Sequence, residues 1–271
     1  MGGGIGDSIY ARGMANRMPD AYVRTAWPEI FPEHRCVPFE SGLRSIVREN
    51  SRRRPRFVER PEVAVLKYAC YESRDLDAGV SIPAQMAERC GVADPVFDLP
   101  DFGPSSVASN RVAVVRPVTL RREWLVESRA PDPTYIAQAA QALHEAGFTV
   151  VSVADVNVAD EWMLEPAPYA DVRFEHGELL VTEMLALVQH AACAVGGIGW
   201  IVPACMAAGV PLLCVLGGFL QRNAPDRLTM GEHRITYAWP DDPCWCNDFH
   251  HDCRKTITDF GKTLENWIET L

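Results

Sequence analysis

CAVGGIGWIVPACMAAGVPLLCVLGG, residues 193–218, is the stretch that decides the fold. Residues 193–197 are a short apolar run closed by two glycines, which predicts a strand. Residues 200–209 are apolar and small up to Gly209, which predicts a helix stopped by a glycine. Residues 210–218 are apolar again and end on Gly217 and Gly218, a second strand. Both strands lack the alternation of a half-exposed sheet. They are therefore expected to be buried on both faces, in a parallel sheet covered by helices. The turn 196–199 joins the first strand to the helix. Its glycines either present free amides to an anion or let helix and strand pack closely.

Working outward, the same grammar continues. Residues 111–117, RVAVVRP, predict a buried strand. In APDPTYIAQAAQALHEAGF, Asp132 is placed to cap, Pro133 fits the first turn, and Ile136, Ala139, Ala140 and Leu143 form one face before Gly147 ends the helix. A strand over 148–154 and a helix over 182–192 follow. In the first half, residues 8–18 and 81–91 read as helices and EVAVLKYAC, 62–70, as a strand. Residues 100–110 are rich in Pro, Gly and Ser, as linkers are. The expected organisation is two α/β units, 1–105 and 106–271, with a cleft between them. Ligands in open α/β sheets sit at the carboxyl ends of the strands, where the glycines at 2–6, 196–199 and 217–218 would lie.

The 271 residues are 48% hydrophobic and 23% charged, the balance of a folded protein with sizeable cores. No run of 18 uncharged apolar residues exists, so no membrane span is expected, and the N-terminus does not read as a secretory signal. The nine cysteines are scattered and odd in number, which suits a reducing, cytoplasmic setting. Net charge is −10, yet residues 44–60 hold seven Arg against Glu49 and Glu59. That segment, centred on Arg52, Arg53 and Arg54, reads either as a contact for a polyanionic partner or as a solvated loop.

Four groups of residues carry possible chemistry. The opening GGGIGDS places Gly4, Gly6 and Ser8 around Asp7 at a helix start. Asp7 there is a functional carboxylate or a charge set against the helix dipole. RPVTLRREW, 116–124, clusters Arg116, Arg121 and Arg122 with Thr119 after a strand, and guanidinium groups suit diphosphates. Glu178 precedes the helix over 182–192, as a hydroxyl acceptor or a helix-start acid. Finally, Cys244, Cys246, His251 and Cys253 form a Cys3His set of the kind that holds structural zinc, with His250 an alternative to His251. Free cysteines in a compact turn are the other reading.

Taken in order, GGIGDS, the Thr/Arg-rich turn ending in Trp124, HGELL at 176–180 and VGGIGW…PACMAAGVPLLCVLGG resemble the heptosyltransferase-like glycosyltransferases of the two-lobed GT-B fold. The resemblance covers most of the chain and is weakest over 20–100. It implies an α/β protein with two Rossmann-like parallel-sheet domains facing a central cleft, an acceptor side at 1–105 and a nucleotide-sugar side at 106–271. It implies transfer of a sugar from a nucleotide-sugar donor to a hydroxyl, inverting, with Asp7 as general base and no catalytic metal. Arg122, with Thr119 nearby, matches the family's donor-phosphate ligand, and the Gly197, Ile198 and Gly199 amides remain available for phosphate. The family's Asp-(Thr/Ser)-Gly-x-x-His loop is replaced here by Gly196-Gly197-Ile198-Gly199-Trp200, so the donor sugar is left open. The acceptor is expected to be anionic, either lipopolysaccharide core or another surface glycan, or DNA with a hydroxymethylated base. A sugar-nucleotide epimerase or hydrolase, and a non-catalytic binding protein of the same fold, are the alternatives. The fold expects a strand before GGGIG, so either the first sheet lacks it or translation starts upstream.

Overall fold

The computed structural model describes residues 3–39, 52, 55–62, 65–157 and 159–271. The helices are α1 (Ile5–Ala15), α2 (Ser73–Asp77), α3 (Ile82–Cys90), α4 (Pro133–Glu145), α5 (Val181–Gln189), α6 (Ile201–Ala208), α7 (Leu220–Asn223), α8 (Pro225–Leu228) and α9 (Phe260–Ile268). The strands are β1 (Tyr22–Thr25), β2 (Arg35–Pro38), β3 (Val112–Val115), β4 (Thr119–Arg121), β5 (Thr149–Val153), β6 (Glu161–Met163), β7 (Val172–Phe174), β8 (Cys193–Gly196), β9 (Leu212–Val215) and β10 (Ile235–Ala238).

Six strands form one sheet in the order β10-β9-β8-β3-β5-β7, and every pairing in it is parallel. The sequence dictates this arrangement. The strands β3, β8 and β9 have all four residues buried, so both faces must be covered, which parallel crossovers through helices provide. α4 does so on one face with Ile136, Ala139, Ala140 and Leu143, all buried. Asp132 accepts from the Thr134 amide at 2.9 Å and caps it, and Gly147 leaves it with φ +84°. On the other face α5 and α6 contribute Leu185, Leu187, Ile201 and Cys205.

The first half is built differently. Its sheet among the described residues is the parallel pair β1-β2. The expected strand at 62–70 is absent from the described part, 65–70. Val65, Leu66 and Tyr68 there are more than half exposed, so their apolar run found no second face to cover it. α1 supplies the compensating core. Ile9, Tyr10, Ala11 and Met14 are buried and belong to one cluster with Val114, Ile201, Leu212 and Leu228 from the second half. α3 matches expectation, with the Ser81 hydroxyl accepting from Ala84 at 3.2 Å and Gly91 at φ +63°. No helix among the described residues is long and apolar enough to cross a membrane.

Candidate functional site: a cleft between two glycine loops

Gly4 caps α1 in an extended conformation, which puts Asp7 in the first turn. The Ser8 hydroxyl turns back to donate to the Gly4 carbonyl at 3.2 Å. At Gly6 the two halves touch closely. A Cβ there would stand 3.3 Å from the Trp200 Cα and 3.4 Å from Pro203 Cγ, so glycine lets α1 seat on the start of α6. The loop that opens the chain thus meets the loop of residues 196–199.

Beside this junction lies a cavity of about 240 Å³. Gly4, Arg116, Arg121, Trp124, Glu161 and Trp200 help line it. A small adjoining recess is lined by Arg116, Thr119, Arg129, Gly197 and Ile198. The Arg116 guanidinium lies against the loop, since a Cβ on Gly199 would be 3.0 Å from its Nη1. Thr119 and Arg121 are engaged by an acid that the sequence did not single out. Glu161, nearly buried, accepts from the Thr119 hydroxyl at 2.7 Å and pairs with Arg121 at 3.3 Å, while Glu123 also pairs with Arg121 at 3.3 Å.

Two expected donor residues stand outside these cavities. The Arg122 side chain is exposed and only its backbone is fixed, donating to the Asp160 carbonyl at 2.9 Å. Glu178 is exposed and accepts from the His176 amide at 2.8 Å, although Gly177 and Leu179 on either side do reach the cleft. Arg52 reaches the cleft rim and donates to the Gly177 and Glu178 carbonyls. Arg53 and Arg54 lie outside the described residues.

Asp7 lies beside Gly4 and Tyr71 and does not itself line either cavity. Burial pushes its pKa up to about 6, and the hydrogen bond from the Tyr71 hydroxyl acts in the opposite direction. Burial and then the Asp7 charge raise Tyr71 in turn, while Arg129 acts on it from another side. Tyr71 is held in place because α2, just after it, is tied to α7 by Arg222, whose Nε is 2.9 Å from Asp77 Oδ1. Tyr71 is therefore within electrostatic reach of both Asp7 and Arg129, and Arg129 of Arg116.

No protein-family model matches the chain, and no curated protein matches it. Solved structures do. A bacterial iron-containing dodecameric glycosyltransferase, TibC from enterotoxigenic E. coli H10407, superposes over 99% of this chain and 73% of its own with TM-score 0.60 and 15% identity. The dodecameric iron-containing heptosyltransferase TibC in complex with ADP-D-beta-D-heptose superposes over 96% of this chain and 71% of its own, with TM-score 0.55 and 15% identity. The fold is GT-B-like.

A larger cavity of about 600 Å³ lies elsewhere on the GT-B-like chain, between α1, β1 and residues 60–62 and 65–69. Its lining is mainly apolar and borders positions outside the described residues. The smaller cleft, by contrast, gathers both glycine loops and the arginines.

The Cys/His group is assembled as its spacing predicted. The ligand atoms of Cys244, Cys246, His251 and Cys253 all lie within 4.8 Å of one another. His251 Nδ1 is 3.4 Å from Cys244 Sγ and 3.3 Å from Cys253 Sγ, and Cys246 Sγ is 3.5 Å from Cys253 Sγ. Metal–ligand bonds of about 2.0–2.3 Å in a tetrahedron require ligand separations of about 3.4–3.8 Å, so the residues present fit a metal ion. His250 is not part of the group; its Nδ1 faces Glu127 at 3.5 Å.

This finger packs directly behind the recess. The Ser128 amide donates to the Phe249 carbonyl at 3.1 Å, and the Gly218 amide to the Ser128 carbonyl at 2.7 Å. Gly217 and Gly218 have no room for a side chain. A Cβ on Gly217 would come within 2.6 Å of the Arg129 carbonyl oxygen, and one on Gly218 would overlap Cys253. Phe219, next in the chain, adopts φ +57°, a costly conformation for a bulky residue. Three further site residues, Tyr71, Arg129 and Glu161, lie in segments with no motif of their own. Only their place in the fold brings Arg129 and Glu161 to the cleft and Tyr71 beside Asp7.

Proposed function

We propose that the chain is a glycosyltransferase that moves a sugar from a nucleotide-sugar donor to a hydroxyl of an anionic acceptor. The observation that carries this reading is the meeting of the first glycine loop, which carries Asp7, with the start of α6 beside a cleft and recess lined by Gly4, Arg116, Gly197 and Ile198. Residues 1–105 take the acceptor side and 106–271 the donor side.

In the reaction, the acceptor oxygen attacks the anomeric carbon and forms the new C–O bond. The bond from that carbon to the phosphate oxygen breaks, and its electron pair stays on the departing diphosphate. The acceptor proton passes to the Asp7 carboxylate, whose raised pKa suits a base working near neutrality. Arg116 and the amides of Gly197, Ile198 and Gly199 stabilise the negative charge that grows on the diphosphate. Attack opposite the leaving group inverts the anomeric centre. Arg121 and Thr119 act less directly, holding Glu161 and the floor of the cleft.

The Cys3His group, in this reading, holds a structural metal ion. TibC is described as iron-containing, and a thiolate-rich tetrahedral set accommodates iron as well as zinc. No step of transfer passes through it. Its role is to order the finger behind residues 127–130.

The acceptor reading rests on the Arg content of residues 44–60 and names an anionic surface glycan first, with a modified DNA base as the other source. A panel of nucleotide sugars read by thermal shift tests the donor, because a ligand that binds only the folded state raises Tm. ADP-heptose is the first probe. Stabilisation by one nucleotide series, followed by transfer of its sugar to an acceptor, is the expected result. No stabilisation by any nucleotide sugar overturns the reading.

A further inference from the structure

We propose that Arg129 is a second phosphate-binding cation of this site, acting with Arg116 on the diphosphate of the donor. The inference rests on the glycosyltransferase reading for the identity of the anion, but the anion site itself stands on geometry.

Arg129 ends a single 3-10 turn, residues 127–129. Its side chain lines the same recess as Arg116, Gly197 and Ile198. Both guanidinium groups are set deep between the two halves, yet each keeps part of its surface open toward the recess. Among the described residues, neither makes a hydrogen bond or an ion pair. The nearest acid, Glu161, acts on Arg116 but its oxygens are taken up by Thr119 and Arg121. Burial disfavours the charge of both, and the Arg116 charge adds to this at Arg129, as the Arg121 charge does at Arg116.

Two like charges largely withdrawn from water, with the nearest carboxylate already engaged by Thr119 and Arg121, are an expensive arrangement. It becomes favourable when an anion with several acceptor oxygens enters between them, because each guanidinium then donates in its planar fork. Gly197 and Ile198, in the loop that leads into α6, line the same recess. A Cβ on Gly197 would be 3.1 Å from Pro131 Cδ, so the segment carrying Arg129 already lies against the glycine loop. The family motif assigned the donor phosphate to Arg122. That side chain points to solvent, and Arg129 takes the place facing the anion.

Inorganic pyrophosphate, titrated calorimetrically into the full chain, tests this. Wild type is expected to bind it, Arg129→Gln to bind at least tenfold more weakly, and Arg122→Gln to stay within twofold of wild type. Arg129→Lys is expected to fall between. Because Arg129→Gln removes a buried unpaired charge, its Tm without ligand should equal or exceed that of wild type; a merely structural residue would lower it. Pyrophosphate binding by Arg129→Gln within twofold of wild type overturns the proposal, as does failure of wild type to bind. Arg129-dependent binding with no sugar donor turned over would leave the anion site standing and remove the transferase reading. Sugar transfer at wild-type kcat/KM by Arg129→Gln would do the reverse.

Discussion

At Asp7, burial and the Tyr71 hydroxyl pull in opposite directions, and burial wins, leaving the carboxyl to titrate at about 6. Transfer should accordingly rise with pH through about 6 as the base becomes available, a profile that initial rates in buffers from pH 5 to 8 will check. Asp7→Asn should lose roughly 10²–10⁴-fold in kcat. Its effect on stability has the opposite sign. The folded pKa lies above the unfolded value of 3.8, so the native state is favoured by the bound proton at low pH. That advantage disappears as pH rises through about 6, and above it the ionised group costs up to about 3 kcal/mol. The Asn variant should therefore melt above wild type at pH 7.5 and together with it near pH 4. Asp7 could be singled out in the sequence by the glycines around it and by the family resemblance. Tyr71 and Arg129 were not, because nothing local marks them. Their meaning comes from α2 being fastened to α7 and from the turn at 127–129 being pressed on Gly217.

Among elements, those whose signals were local and complete formed as read. α4 had a cap, a first-turn proline, a four-residue apolar face and a terminal glycine, and β3, β8 and β9 were apolar throughout. The segment at 62–70 shows why composition alone misleads. A strand needs partners, and α1, packed into the second half, occupies the core that a larger sheet would have filled. This dependence on close approach gives a test. Ala at Gly6 would push α1 off α6, since the new Cβ meets the Trp200 Cα at 3.3 Å. The backbone there cannot rotate away as a side chain would, so a loss of about 1–3 kcal/mol in chemical denaturation is expected. The equivalent change at Gly218 should be at least as damaging, and should also reduce the metal retained by the purified protein, measured by elemental analysis.

For the molecule as a whole, the hydrophobic cluster that joins α1 to β3, α6 and β9 makes the cleft wall continuous across both halves, and the finger buttresses it from behind. If the Cys3His set carries the proposed metal ion, its removal with a strong chelator should lower Tm and weaken pyrophosphate binding together, although no reacting atom would touch it; full retention of pyrophosphate affinity in chelator-treated protein would separate finger from recess. The crowding at Gly218 also has a consequence over evolutionary time. A methyl group at that position and the Cys253 sulfur cannot coexist in this backbone, so the finger and the glycine behave as one inherited unit. Loss of the Cys253 sulfur would free room at Gly218, and any side chain at Gly218 would displace that sulfur and break up the Cys3His set.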